Sequence, residues 1–467
     1  MFIGRQKELR FLESLQSSKK FEMLIIHGRR RVGKSFLLAH FASRHKQNSI
    51  FFTADKGSEK ENVKRFCTEL KRVLKAGDFL DSLETWQDVY SFIDSTSFSN
   101  RINIIIDEFT YLYASNPAYD SGLQNAIDRI LKNKNIFLIL CGSEVSVIED
   151  IFDNSTKPLY GRKTAELKLS PFTYKEAKEF FPKYSNEEAL TVYSILGGMP
   201  LYLSLFDDSL SIRDNIIRNC LSTTGYLFNE IDTLLRMELK EPFFYKNILL
   251  AINSGASTLN EIRTKIGEGS AKIAKYINVL ENLGFIKAES PVGEKGKARN
   301  TLYSIEDNYF AFYFRFIFKH LNMLNGLISP AIYYSKEFTT ENMNSYIGHR
   351  FERTCSQYMR ENAYNGNLPF FAEDIGRWWG NNPVAKKQEE IDIVAMDKDS
   401  AILCECKYTE KPFSESELAD LENCAPCIKR NKKYYWIFSR NGVSAGVKKK
   451  IKGLDNYKVI TISDLFE

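Results

Sequence analysis

The sequence predicts an α/β protein of several domains, with a parallel sheet in its first third and a smaller α/β domain at its end. The chain has 467 residues, more than one hydrophobic core usually holds. Near-continuous apolar runs at residues 23–26, 102–106 and 136–141 alternate with helical patterns, as parallel strands covered on both faces do. Alternating strands joined by the turn DKDS at residues 397–400 indicate the second sheet.

Composition excludes some classes of protein and leaves others open. The apolar fraction is 43% and the charged fraction 26%, both ordinary for a globular chain. No apolar run approaches the ~20 residues of a membrane-spanning helix, and the N-terminus does not resemble a signal peptide. We therefore expect a cytoplasmic protein with no membrane partner. The net charge of +5 permits a nucleic-acid partner without arguing for one.

The most specific motif is GRRRVGKS at residues 28–35, between an apolar strand and an apolar helix. It is the full GxxxxGK[ST] pattern in the context that a phosphate-binding loop requires. Its glycines let backbone N–H groups point at phosphate, its lysine reaches the β- and γ-phosphates, and its serine binds Mg²⁺. The sequence therefore predicts ATP and Mg²⁺ as cofactors, bound by Gly28, Arg29, Arg30, Arg31, Val32, Gly33, Lys34, Ser35 and Phe36.

The second half of such a site is an apolar strand that ends in an acid. The run IIID leads to Asp107 and Glu108. We expect Asp107 to contribute to the Mg²⁺ shell and Glu108 to polarise the attacking water. Another apolar strand ends at Ser143, which is either a sensor of the γ-phosphate or simply a common residue at the end of a strand.

Six segments in order carry a family resemblance: FIGRQKEL (2–9), GRRRVGKS, IIIDEF, LILCGS, PLYGRK (158–163) and GGMP (197–200). The chain resembles the STAND group of AAA+-related P-loop ATPases, specifically the prokaryotic archaeal-type ATPase family. The resemblance implies that Gly4 and Arg5 lie against adenine and that Pro200 belongs to a lid that reads the nucleotide state. Arg162 would approach the γ-phosphate, in cis or from a neighbouring copy in a homo-oligomer; a solvated loop arginine is the alternative.

Residues 241–325 have the pattern of a winged helix-turn-helix with a linker helix. Three helical segments precede the strands FIKAES and TLYSI, which flank the basic connection PVGEKGKARN. If the third helix entered a DNA groove, it would present Lys272, Lys275 and Asn278 to it. The connection would then offer Lys295, Lys297 and Arg299 to phosphates. The alternative is an intramolecular joint, as such modules commonly form in STAND-type proteins.

The C-terminal strands EIDIV (390–394) and LCECK (403–407) place acids where they can converge. Asp392 lies on the first strand, and Glu405 and Lys407 share one face of the second. Mg²⁺ binds one or two carboxylates with waters and a phosphate, and a lysine can orient the nucleophilic water. These residues, with RWWG at 377–380, resemble the PD-(D/E)XK nuclease fold found in this ATPase family. The resemblance implies catalytic roles for Asp392, Glu405 and Lys407 and an extra metal ligand in Glu352, although the first motif here is Ile-Asp rather than Pro-Asp.

The resulting architecture has four parts. We expect a P-loop ATPase core over residues 1–170, a helical lid over 171–240, the winged helix over 241–325 and the nuclease-like domain over 340–467. The predicted function is an ATP-hydrolysing STAND-type switch that controls a DNA-directed effector, with Mg²⁺-dependent DNA cleavage by the last domain. The alternative is an ATP-dependent DNA-binding or protein-interaction regulator that does not cleave.

Overall fold

The computed structural model describes residues 2–116, 118–294 and 300–467. The chain divides into two compact units. The first consists of Met1–Pro171 with Met199–Leu201, and the second of Phe172–Gly198 with Tyr202–Glu467. The segments predicted as lid, winged helix and nuclease-like domain therefore belong mostly to a single compact unit.

The first unit contains a five-stranded parallel sheet in the order β2-β3-β4-β1-β5. Strands β1, β3 and β4 are almost entirely buried, because helices cover both faces of the sheet. The strands are β1 (Glu22–His27), β2 (Ser49–Thr53), β3 (Ile102–Asp107), β4 (Ile136–Gly142) and β5 (Ala165–Lys168).

The helices of this unit begin where the sequence provides caps. Ser58 with Glu61, and Thr85 with Asp88, form capping boxes that satisfy the first N–H groups of α3 and α4. The helices are α1 (Gln6–Gln16), α2 (Lys34–Arg44), α3 (Glu59–Leu74), α4 (Trp86–Ser95), α5 (Thr110–Ser115), α6 (Tyr119–Arg129) and α7 (Val145–Asp153).

The second unit opens with short helices and a three-helix segment with two paired strands. Thr258 and Glu261 form the capping box of α14, and β6 pairs antiparallel with β7. The order helix-helix-helix-strand-strand is that of a winged helix. The elements are α8 (Tyr174–Lys178), α9 (Asn186–Leu196), α10 (Pro200–Leu203, which straddles the two units), α11 (Ile212–Ile216), α12 (Glu230–Glu238), α13 (Pro242–Asn253), α14 (Leu259–Ile266), α15 (Ser270–Asn282), β6 (Ile286–Glu289) and β7 (Leu302–Ile305).

The aromatic segment that follows is almost entirely buried. It forms α16 and then a π-helical turn at Tyr313–Ile317, whose rings pack on Phe338 and Tyr346. This segment therefore provides packing between the winged helix and the last domain. Its helices are α16 (Asn308–Phe312), α17 (Leu321–Leu324), α18 (Pro330–Glu337) and α19 (Thr340–Tyr364).

A second five-stranded sheet ends the chain, in the order β12-β11-β10-β9-β8. The pairs β8/β9 and β9/β10 are antiparallel, whereas β10/β11 and β11/β12 are parallel. The elements are β8 (Asp374–Asn381), β9 (Gln388–Met396), β10 (Ser400–Lys407), α20 (Glu415–Asn423), β11 (Lys432–Ser439), α21 (Ala445–Ile451), β12 (Tyr457–Ile460) and α22 (Ile462–Leu465).

The connection after β6 is joined to this last sheet. Val292 lies in the same buried cluster as the sheet residues Ile391 and Leu403. Its N–H donates to the carbonyl of Arg377 at 2.8 Å. On the other side, Arg353 of α19 pairs with Glu306, just after β7. The described chain therefore contacts the last domain both after β6 and after β7.

Within the described ranges we find no helix with the length and apolar character needed to cross a bilayer.

Candidate functional site

The phosphate-binding loop between β1 and α2 has a shape that depends on glycine. Gly28 has a φ of 150°, and a Cβ added to it would lie 2.4 Å from the carbonyl oxygen of Leu169. Gly33 caps α2 with a φ of 92°. Both conformations are ones that residues with a Cβ rarely adopt. The loop therefore brings backbone N–H groups to the start of α2, where the helix dipole favours an anion.

Lys34, the first residue of α2, is buried beneath this loop. Its ammonium donates to the carbonyl oxygens of Gly28 at 2.7 Å and Arg29 at 3.0 Å. An ammonium forms stronger hydrogen bonds with anionic oxygen than with a carbonyl group. The lysine is thus positioned at the loop that would cradle phosphates.

The segment before α1 touches the same loop. The guanidinium of Arg5 is buried and donates to the carbonyl of Val32 at 3.0 Å, and it pairs with Glu8 at 3.2 Å. Gly4 has a φ of 65°, and the Phe2 ring stacks on His40 with centroids 3.9 Å apart. Arg5 therefore contacts the loop backbone, and the adenine contact of Gly4 and Arg5 stays a prediction.

Asp107, Glu108 and Ser143 meet at the carboxyl ends of neighbouring strands. Asp107 ends β3, is buried, and accepts a hydrogen bond from the N–H of Glu108 at 3.1 Å. The Ser143 hydroxyl, just after β4, donates to Glu108 Oε1 at 2.8 Å. Glu108 Oε2 is buried and has no hydrogen-bond partner within the described ranges. Glu108 also has a φ of 52°, a strained conformation that is often found at functional sites.

These residues fit a nucleotide with Mg²⁺. A glycine-shaped loop, a buried lysine and a buried acid at the end of the adjacent strand are the groups that phosphate and its metal require. Ser35, which is exposed at the start of α2, and the carboxylate of Asp107 would hold Mg²⁺. A bound nucleotide would supply the phosphate oxygens that complete the metal shell.

The other predicted residues of this unit have varied surroundings. Pro200 lies beside the loop, its Cγ 3.5 Å from the position of a Cβ on Gly33. Arg30 pairs with Glu144 at 3.8 Å, and Phe36 is exposed. The guanidinium of Arg162 pairs with Asp128 at 2.8 Å and donates to the carbonyls of residues 158 and 160 at 2.6 and 3.0 Å. Arg162 is therefore held within its own loop and by α6.

The C-terminal candidates meet where the middle of β9 lies beside the end of β10. Asp392 Oδ2 accepts a hydrogen bond from the N–H of Cys406 at 2.8 Å. The Lys407 ammonium pairs with Glu405 Oε1 at 2.6 Å. The ladder between β9 and β10 pairs Ile393 with Cys404, so the next position brings Asp392 beside Glu405. The predicted convergence of Asp392, Glu405 and Lys407 is therefore present in the fold.

Burial changes the protonation of this cluster. Burial, followed by the charges of Glu405 and Glu352, raises the pKa of Asp392 to about 8. Burial also raises the pKa of Glu405, against the opposing effect of Lys407. A proton or a cation must neutralise acids held this closely. The cluster therefore favours binding of a positive charge.

Glu352 faces this cluster from α19, with the ring of His349 3.7 Å away. No group of three or more His, Cys, Asp or Glu side chains in the described part of the chain is arranged to hold a metal ion. Mg²⁺ usually keeps several waters and takes one or two carboxylates with a phosphate. Asp392 and Glu405 fit that smaller requirement, and the role of Glu352 as a third ligand stays a prediction.

The predicted DNA-reading helix is α15. Lys272 pairs with Glu268 at 2.8 Å and lies over the Phe244 ring at 4.5 Å. Lys275 and Asn278 are exposed. The wing residues Lys295, Lys297 and Arg299 lie outside the described residues. Two cysteines with CxxC spacing, Cys424 and Cys427, follow α20 and are free thiols.

Sequence reasoning missed a set of arginines around Asp392 and Glu352. Arg350, Arg353 and Arg360 of α19 and Arg377 of β8 line one cavity with these two acids. Spacings of three and seven residues put the first three on one side of a helix. That periodicity could have indicated a basic helix face, but it does not reveal which strands the face opposes.

Comparison with known proteins is consistent with this geometry. Residues 2–206 match the family described as an ATPase domain predominantly from Archaea. Residues 313–420 match a family of archaeal and bacterial proteins of unknown function. The Walker-type ATPase PABY2304 of Pyrococcus abyssi shares the fold, with a TM-score of 0.51 and 22% identity over 67% of this chain and 96% of that one.

Two relatives come from Methanocaldococcus jannaschii. An uncharacterized ATP-binding protein, MJ0423, is 44% identical over 53 residues, which are 11% of this chain and 90% of that protein. The uncharacterized protein MJECL04 is 33% identical over 457 residues, covering 98% of this chain and 97% of that protein. The phosphate-binding loop, the buried acidic strand end and this full-length similarity lead to one assignment: the chain belongs to the archaeal-type P-loop ATPase family.

Proposed function

We propose that the protein is a STAND-type switch that hydrolyses ATP and uses its nucleotide state to control an effector acting on DNA. The observation that best supports ATP hydrolysis is the placement of Glu108. One of its oxygens accepts from Ser143, and the other is buried with no partner among the described residues. A carboxylate held in this way beside a phosphate-binding loop can accept a proton from an attacking water.

The residues would divide the work of hydrolysis. Lys34 would transfer its hydrogen bonds from the loop carbonyls to the β- and γ-phosphates, because anionic oxygens are the stronger acceptors. Ser35 and Asp107 would hold Mg²⁺, which neutralises charge on the phosphates. Glu108 would orient the water, and Ser143 would keep the carboxylate in place. Gly4, Arg5 and Pro200 would bind the rest of the nucleotide.

Two substitutions test this half with matched controls. Lys34→Ala should abolish nucleotide binding, measured with a fluorescent ATP analogue. Glu108→Gln should retain binding and slow turnover by about 10²-fold, within the range for a lost general base. The exposed residues Lys46 and Glu149 provide the controls Lys46→Ala and Glu149→Gln. Wild-type turnover in Glu108→Gln would show that another group positions the water.

The effector half of the proposal rests on the second sheet. Asp392 and Glu405 would hold Mg²⁺ against a DNA phosphate, and the Lys407 ammonium would orient the attacking water. The contact between Lys407 and Glu405, at 2.6 Å, supports this arrangement because it keeps the ammonium beside the acids. A metal supplies charge neutralisation and an activated water in such sites.

A nicking assay tests cleavage. Supercoiled and branched DNA would be incubated with Mg²⁺ or Mn²⁺, with and without ATP. We expect nicking that is lost in Asp392→Ala and retained in Asp455→Ala, since Asp455 is an exposed acid of the same domain. Nicking retained in Asp392→Ala would remove this site from the proposal.

A second candidate function is a regulator that binds DNA, or another protein, without cleaving. Among the described residues, no group of three or more metal-ligating side chains surrounds Asp392, which favours this second function. The raised pKa of Asp392, about 8, also favours it, because the acid is then largely protonated near neutral pH. ATP turnover without nicking under any of these conditions would favour it. A cytoplasmic location and assembly into a homo-oligomer stay predictions.

A further inference from the structure

A cavity of about 550 Å³ lies within the second unit, between the strands of the winged helix and the C-terminal domain. Its walls are formed by Lys287 and Glu289 of β6, by Tyr303 and Ser304 of β7, and by residues of α19 and β8. The volume falls within the range of about 300–1,000 Å³ typical of ligand sites. The winged helix and the last domain therefore build one site together.

The walls carry more basic than acidic side chains. Six lysines and arginines line the cavity, against four carboxylic acids. Two of these acids have basic partners, since Glu306 pairs with Arg353 and Glu289 with Lys287 at 2.5 Å. In contrast, Arg315, Arg350 and Arg360 form no ion pair with any described residue. Unneutralised arginines around a cavity favour an anionic ligand.

Arg350 is the most deeply placed of these three arginines. One of its terminal nitrogens donates to the carbonyl of Ile305 at 3.0 Å, whereas its Nε is buried and lacks a partner among the described residues. The guanidinium lies 5.8 Å from the centre of the Tyr346 ring. A buried N–H without an acceptor costs free energy that a ligand oxygen would recover.

The two acids at the edge of the proposed cleavage site line the same cavity. Asp392 of β9 and Glu352 of α19 both belong to its wall. A ligand seated among the arginines would therefore extend to Asp392, one of the two carboxylates that are proposed to hold Mg²⁺. A polyanion with regularly spaced charges can contact both regions, which a single small anion cannot do.

We propose that this cavity binds a segment of single-stranded nucleic acid, with its phosphates on Arg315, Arg350 and Arg360 and one phosphate directed to Asp392. The inference rests on the proposed function at Asp392 and names the ligand of that site. A cavity of this volume holds a short stretch of one strand but not a duplex. The wing strands, rather than the predicted reading helix α15, contact the nucleic acid.

Salt-dependent binding tests the inference. Anisotropy of a labelled 20-nucleotide DNA strand, its duplex and the RNA strand of the same sequence would be measured with the full chain in EDTA. We expect either single strand to bind at least about tenfold more tightly than the duplex, and the DNA and RNA arms to show which source is preferred. Each phosphate contact contributes about 0.7 to the slope of log K against log salt for single strands.

The exposed pair Arg315 and Arg360 provides the variants. The double variant Arg315→Gln with Arg360→Gln should lower the slope of log K against log salt by about 1.4, which corresponds to two phosphate contacts. Lysine at both positions should restore the slope. The control is the double variant Lys448→Ala with Lys449→Ala, at exposed positions of α21. It removes two positive charges away from the cavity and should leave both the affinity for the strand and the salt slope unchanged.

Three results would overturn the inference: a duplex bound as tightly as the strand, an unchanged slope in the double glutamine variant, or a loss of binding in Lys272→Ala with Lys275→Ala instead. The ATPase and nicking assays report separately on the proposed function. A chain that hydrolyses ATP and binds no strand contradicts this inference alone. A chain that binds the strand at these arginines without hydrolysing ATP or nicking DNA contradicts the proposed function alone.

Discussion

The hydroxyl of Ser143 donates to Oε1 of Glu108 at 2.8 Å, across the ends of two neighbouring strands. Glu108 has a φ of 52°, which a residue with a side chain adopts only when its surroundings enforce it. The carbonyl of Cys141 accepts from the N–H of Phe109 at 2.8 Å, so β4 also holds the backbone after Glu108. The end of β4 thus fixes the direction of Glu108, the acid that follows β3.

Ser143→Ala tests whether this hydrogen bond serves hydrolysis. A hydrogen bond to a charged group contributes about 1.5–3 kcal/mol, so its loss should lower the turnover number for ATP about tenfold. The KM should change little, because the hydrogen bond that the Ser143 hydroxyl donates goes to Glu108 and not to the phosphate-binding loop. Steady-state ATPase kinetics measure both, and Ser143→Thr, which keeps the hydroxyl, should retain most activity. Faster turnover in Ser143→Ala would show that the serine instead restrains the acid.

Gly28→Ala tests the shape of the loop. The new Cβ would meet the carbonyl oxygen of Leu169 at 2.4 Å, and forcing atoms into a packed site costs about 1–3 kcal/mol. We expect a lower melting temperature, measured by calorimetry, and weaker ATP binding, measured by titration. Gly77→Ala is the control, since a Cβ there meets no atom within 4 Å. Equal stability of the two variants would contradict the close approach of the loop to Leu169.

Arg162→Ala distinguishes a phosphate contact from a structural one. The guanidinium pairs with Asp128 at 2.8 Å and donates to two loop carbonyls, and this arginine holds the pKa of Asp128 below its usual range. We expect Arg162→Ala and Asp128→Asn to lower turnover by similar small factors. An arginine that acts on the γ-phosphate contributes about 10³–10⁵ in rate. A loss of that size in Arg162→Ala alone would assign it to catalysis.

Asp392→Asn should make the protein more stable than the wild type, by an amount that grows as the pH rises. Burial and two neighbouring acids raise the pKa of Asp392 from its ordinary 3.8 to about 8. The folded state therefore binds this proton more tightly than the unfolded chain, and wild-type stability falls between about pH 4 and pH 8. The asparagine cannot ionise and can still accept from the N–H of Cys406. We expect no difference at pH 4 and a gain that grows by about 1.4 kcal/mol for each pH unit between pH 4 and pH 8, measured by denaturant unfolding. A constant difference across this range would contradict the raised pKa.

Much of the first unit could be predicted from sequence, because its signals are local. The loop GRRRVGKS follows a strand and starts a helix, and the buried run before Asp107 ends where predicted. In these segments the residue types, their spacing and their burial indicate the same structure. The pairing of Asp392 with the end of β10 was also predictable, since two strands joined by a short turn have a defined register.

The sequence by itself determined the strand, loop and helix around the phosphate-binding motif and the chemistry of that motif, because these features depend on neighbouring residues. Tertiary structure decided which distant groups meet. It paired Arg162 with Asp128, joined Ser143 to Glu108, and placed Val292 of the wing in the core of the last domain. It also brought Arg350 and Asp392 into one cavity. Such contacts depend on how whole elements pack, and no local spacing in the chain encodes that packing.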